Sequence, residues 1–125
     1  MKKLFYILII VCPALVCGQQ PCNTFSPFDY MWQNVGNPGF STGQVSYLNF
    51  ALSPSGVPYV VFSNYKANVM KFDGTSWVYV GDAGFSAVEA RYTTIDFSPS
   101  GQPYVAFMDW ANSQKSTVMK FNGEE

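Results

Sequence analysis

Ser53-Pro54-Ser55-Gly56-Val57-Pro58-Tyr59-Val60-Val61-Phe62 returns downstream as Ser98-Pro99-Ser100-Gly101-Gln102-Pro103-Tyr104-Val105-Ala106-Phe107, an offset of 45 residues. Each copy joins a turn-forming stretch of serine, proline and glycine to a short β-prone run. That run is apolar at consecutive positions, so both faces of the strand need cover. A half-exposed hairpin would alternate instead.

Extended outward, Trp32 to Tyr65 aligns with Trp77 to Trp110, and 15 of the 34 pairs are identical. They include Trp32/Trp77, Val35/Val80, Gly36/Gly81, Phe40/Phe85 and Tyr47/Tyr92. The offset then grows to 49, because Val69-Met70-Lys71-Phe72 recurs as Val118-Met119-Lys120-Phe121, so four extra residues lie after Trp110. A repeat of this length reads as one supersecondary unit that buries its apolar faces by stacking.

Each unit reads as four strands. The first is Tyr47–Leu52 or Tyr92–Phe97, and the second Tyr59–Ser63 or Tyr104–Met108, each with a proline before it where a missing N–H is tolerated. The third is Asn68–Phe72 or Thr117–Phe121, ended by the hairpin dipeptides Asp73-Gly74 and Asn122-Gly123. The fourth is Trp77–Val80, with Trp32–Val35 as a leading copy. No window has helical periodicity. The expectation is an all-β chain of antiparallel four-stranded blades, about two plus the leading strand, belonging to a β-propeller. A two-sheet sandwich accounts for the turns and not for the near-copies.

The chain of 125 residues has room for one small domain. Only 12% of residues are charged against 18% aromatic, opposite to the signature of disorder. Lys2 and Lys3 followed by the apolar run Leu4–Val16 and then Cys17-Gly18 have the layout of a secretory signal peptide over 1–18. Its helix would be shorter than the roughly 20 residues that span a bilayer. Cleavage removes Cys12 and Cys17 and leaves Cys22 in a lead of residues 19–27, so no intrachain disulfide is expected in the mature chain. The partial propeller then covers 28–125, in units of about 32–76 and 77–125. Five basic and eight acidic residues remain, a net charge of −3. That balance gives no electrostatic reason to expect nucleic acid, and no stable membrane insertion follows cleavage. The product is expected to be secreted or displayed at the cell surface.

With Trp-x-x-Val-Gly, Gly-Phe-Ser, Ser-Pro-Ser-Gly-x-Pro-Tyr-Val and Val-Met-Lys-Phe-(Asp/Asn)-Gly, the units resemble repeats of secreted bacterial β-propeller proteins of the Bacteroidetes type. The likeness covers roughly residues 30–125 and implies fold and export. It implies no shared activity, so no catalytic residue is carried over. The order of strands, opening on a fourth and stopping after a third, places the next repeated tryptophan at position 126. A ring takes typically 4–8 blades. Two blades therefore imply an N-terminal fragment completed by further blades in cis, or else self-association of several chains. Expressed alone, such a pair is expected to be marginal and aggregation-prone through open faces and unpaired edges.

The absence of histidine removes the usual activator of a serine nucleophile and the commonest soft-metal ligand. A calcium site would need an acidic loop, and no Asp-x-Asp-x-Asp run occurs. Sialidase chemistry calls for an arginine cluster, yet Arg91 is the single arginine. Asp73 and Asp82 align with Asn122 and Asn37 in turns, where capping explains them; Asp96, on a first strand, could line an axial channel. No catalytic residue, metal or cofactor is assigned. Loops joining strands two to three and four to one carry the length change and most charge differences, and function favours variable loops on a constant scaffold. Asn64, Tyr65, Asp109 and Trp110 begin the loops from strand two to three. An aromatic plane beside an amide or carboxylate holds a sugar by stacking and directed hydrogen bonds. The expected function is a non-enzymatic recognition or adhesion module with carbohydrate or a protein surface as partner. A non-catalytic part of a secreted hydrolase and a structural spacer are the alternatives.

Overall fold

A computed structural model describes residues 31–123. The readings that fall on residues 1–30, the signal peptide with its helix and the Cys22 lead, lie outside the described residues. Contacts divide the chain into Met1–Gln33 and Asn34–Glu125. Of the first unit, Met31 and Trp32 are exposed and lie outside regular structure.

The second unit is all-β: β1 (Ser46–Leu52), β2 (Pro58–Asn64), β3 (Lys66–Phe72), β4 (Trp77–Tyr79), β5 (Ala90–Phe97), β6 (Pro103–Asp109) and β7 (Lys115–Lys120). One sheet runs β1-β2-β3-β4 and the other β5-β6-β7, with every neighbour antiparallel. The only helical element among the described residues is a 3-10 turn over Trp110–Asn112. The leading strand expected at Trp32–Val35 does not form: the segment is irregular. A strand needs a neighbour to take its backbone hydrogen bonds, and only the second copy, Trp77–Tyr79, has one, in β3.

The turns follow their sequences. In Ser53–Val57 the Gly56 N–H donates to the Ser53 carbonyl at 2.8 Å, and the Val57 N–H to the Ser53 hydroxyl at 3.0 Å. The copy repeats both, Gly101 to Ser98 at 2.9 Å and Gln102 to the Ser98 hydroxyl at 3.1 Å. Asp73 caps its hairpin as expected, accepting from the N–H groups of Thr75 and Ser76, both at 2.8 Å. Gly74 beside it has φ of 102°, open to glycine at little cost.

The two sheets pack face to face. Tyr59, Val61, Ala67 and Val69 of the first meet Ala90, Ile95, Val105 and Phe107 of the second in one buried cluster, joined by Val80 from the connection. On the other face of the first sheet, Val60, Phe62 and Met70 bury against Phe40, Val45, Trp77 and Tyr79. β2 is thus covered on both faces, as its unbroken apolar run requires. β6, whose copy of that run predicts the same, is buried on one face only: Val105 and Phe107 are inside, whereas Tyr104 is 37% exposed. No described element lies over that outer face.

Candidate functional site

The candidate site is built at the end of the sheets where β2 turns into β3 and β6 into β7. In the first unit a single residue makes the turn: Asn64 pairs with Lys66 across it, and Tyr65 stands at the apex with φ of 85°. Left-handed backbone is uncommon for a side chain of this size. In the second unit the four extra residues convert the turn into the 3-10 segment, followed by Ser113 and Gln114 at φ of 55° and 63°.

Asn64 is exposed at the end of β2. Its side chain donates to the Thr42 carbonyl at 3.3 Å and accepts from the Asn68 amide at 2.7 Å. Asp109, its counterpart, is buried, and its carboxylate serves the fold. It accepts from the Ala111 N–H at 2.9 Å, the Asn112 amide at 2.7 Å and the Thr117 hydroxyl at 2.9 Å. These donors, the Asn112 amide first, hold its carboxyl below the usual aspartate range although burial opposes them. Its role is that of an N-cap. Thr117 stands where Asn68 stands in the first unit, so one polar pair is used twice, as Asn64–Asn68 and Asp109–Thr117.

The aromatic members face outward. Tyr65 is 62% and Trp110 40% exposed. Consecutive residues where the β4–β5 connection enters β5 tie their backbones together: the Ala90 N–H donates to the Tyr65 carbonyl at 2.9 Å, and the Trp110 N–H to the Glu89 carbonyl at 3.2 Å. The four residues named from the sequence therefore gather at one end of the two sheets.

Residues that sequence reasoning missed complete the surface. The Arg91 guanidinium lies 4.9 Å from the centre of the Trp110 ring, a cation–π arrangement. It also pairs with Glu89 at 2.6 Å, which holds it charged. The rings of Tyr47 and Tyr92 meet at 4.7 Å. Both tyrosines have φ of 53° at the register shifts that open β1 and β5, between Ser46 and Asn49 and between Arg91 and Thr94. The Thr93 hydroxyl donates to the Tyr47 carbonyl, locking one bulge to the other. Tyr47/Tyr92 identity was visible in the repeat; that both residues would mark β-bulges was not. Arg91 replaces Ser46 and carried no motif.

Asp82 and Asp96 are exposed, and Asp96 accepts from the Phe97 N–H at 2.8 Å. Among the described residues no three acidic or cysteine side chains cluster to hold a metal. The arrangement offers flat apolar rings, an ion pair and amide groups, which suit stacking and hydrogen bonding to a polar ligand with apolar faces. Comparison of the chain with models of known families, with curated proteins and with solved structures finds no match.

Proposed function

We propose that this chain is a secreted recognition module built from blades of a β-propeller, resembling those of secreted bacterial repeat proteins, and that its turn-bearing end binds carbohydrate. The blade reading is supported by two sequence-related sheets that stack through one core. The single observation that carries the functional reading is the exposed Trp110 ring, backed by Arg91 and tied through Glu89–Ala90 to the exposed Tyr65. Exposed aromatic planes beside hydrogen-bonding groups match a sugar ring, which has an apolar face and a hydroxylated rim. Neutral sugars fit best, because Glu89 already occupies Arg91.

The test is retention of the chain on a glycan array, with Trp110→Ala and Tyr65→Ala beside it. The expected result is retention on a subset of glycans, reduced at least about tenfold by Trp110→Ala. Retention unchanged in both variants, or none on any glycan, overturns the carbohydrate assignment. Capture of a protein partner with no glycan retained would move the reading to protein recognition.

A further inference from the structure

A cleft of about 220 Å³ opens beside β7, and Val80, Gly81, Phe85, Val105, Met119 and Phe121 are among its lining residues. By the two repeat offsets these correspond to Val35, Gly36, Phe40, Val60, Met70 and Phe72. In the first unit those six residues surround Trp77. Phe40 stacks on its indole at 4.3 Å, and Phe72 lies at 5.8 Å. Val60 and Met70 form the cluster it covers. The Val35 carbonyl accepts from the indole N–H at 2.8 Å. A Cβ at Gly36 would stand 3.2 Å from the ring. The second unit thus keeps the walls of a tryptophan socket.

The sequence holds a second copy of the matching knob. Trp32-Gln33-Asn34-Val35-Gly36 repeats the frame Trp77-Val78-Tyr79-Val80-Gly81, and Trp32 is 104% exposed. We infer that Trp32–Val35 of a second copy of this chain adds as a fourth strand to β7 and seats its indole in the cleft. The template is β4 on β3, where Trp77 lies opposite Phe72, Val78 opposite Lys71 and Tyr79 opposite Met70, and the Val80 N–H donates to the Val69 carbonyl at 2.9 Å. Transferred, Trp32 lies opposite Phe121, Gln33 opposite Lys120 and Asn34 opposite Met119, with the Val35 N–H on the Val118 carbonyl. This is strand addition to an open edge, with backbone bonds for affinity and a pocket for register.

The sheet faces argue for the same occupant. Tyr59 and Val69, at 2% and 5% exposure, are covered by the second sheet, whereas their counterparts Tyr104 and Val118 stand at 37% and 65%. Conversely Ile95, 5% exposed against the first sheet, has Phe50 as its counterpart at 54%. The outer face of the second sheet therefore matches the outer face of the first, and the segment after Trp32 delivers one to the other. The contact is head-to-tail and repeats from copy to copy until it closes. It stands independently of what the turn-bearing end binds.

Sedimentation velocity on the full chain and three variants tests it. The wild-type chain is expected to associate with rising concentration. Trp32→Ala removes the knob and Met119→Asp puts charge in the socket. Each should weaken association at least about thirtyfold, as loss of a central anchor does. Mixed in equal amounts, the two variants should form a heterodimer and nothing larger, since each retains the half the other lacks. Both side chains are exposed, so far-UV circular dichroism should stay wild-type; Val118→Asp replaces Met119→Asp if it does not. A peptide spanning residues 31–37 should bind the Trp32→Ala chain with a blue-shifted indole emission. A wild-type chain that stays monomeric, a Trp32→Ala chain that associates as wild type, or a mixture that remains monomeric overturns the inference.

Discussion

Tyr65 combines a backbone conformation that suits glycine with a side chain that is mostly in water. With the residue 62% exposed, burial does little to offset the left-handed geometry, so removing the side chain and keeping the turn separates the two. Tyr65→Gly should raise stability by up to about 1 kcal/mol in urea unfolding while lowering glycan retention. Residues held in sparsely populated backbone regions cluster at functional sites. A variant stabler but equally retained would show that the backbone is strained and that the Tyr65 ring takes no part in binding. Asp109 presents the opposite case, a carboxylate turned inward. Its pKa lies below the ordinary 3.8 because the Asn112 amide, then the Ala111 N–H and the Thr117 hydroxyl, favour the charged form. A lowered native pKa contributes stability that is present in full above the unfolded value. That contribution is lost as pH falls below 3.8 through the native value. The urea midpoint of the wild-type chain should therefore exceed that of Asp109→Asn most at neutral pH, and the gap should narrow on acidification. A gap independent of pH would mean that the charge contributes nothing.

Among the elements, the connection from β4 to β5 is sutured to the edge of β3 more closely than a surface loop usually is. The Phe85 N–H donates to the Ala67 carbonyl at 3.0 Å, the Gly84 N–H to the Asn68 side chain at 2.8 Å, and the Ala67 N–H to the Ser86 hydroxyl at 3.0 Å. Ser86 is buried, and its hydroxyl donates to the Val88 carbonyl at 2.8 Å. Ser86→Ala leaves the Ala67 N–H unsatisfied in the interior and should cost about 1–3 kcal/mol, read as a lower urea midpoint. A change within error would mean that water replaces the hydroxyl. The strands were legible because their apolar runs and turn dipeptides act locally. The longer β6–β7 connection was visible as four extra residues, but its 3-10 turn was not. Asp109 and Asn112 specify that turn through a side-chain contact that no periodicity encodes. The leading strand failed for a related reason: Trp32–Val35 has the residues of β4 without a neighbour to bond to.

At the scale of the whole molecule, one apolar cluster spans both sheets, so residues 34–123 should unfold as a unit. Phe107, 3% exposed in that cluster, should cost about 3–5 kcal/mol as Phe107→Ala. Phe50→Ala, at a position 54% exposed, should change stability by less than about 0.5 kcal/mol in the dissociated chain. Near-UV and far-UV circular dichroism should report one coincident transition. Two separated transitions would show that the sheets stand independently. By itself the sequence determined the repeat, the all-β class, the turns and the neighbourhood of Asn64, Tyr65, Asp109 and Trp110, because each rests on interactions between residues close in the chain or on direct self-similarity. Only the tertiary structure decided that Asp109 faces inward, that Arg91 lies under Trp110, and that near-identical strands differ in exposure. Those outcomes depend on which surface comes to lie against which, and a residue's burial is a property of its neighbours across the fold.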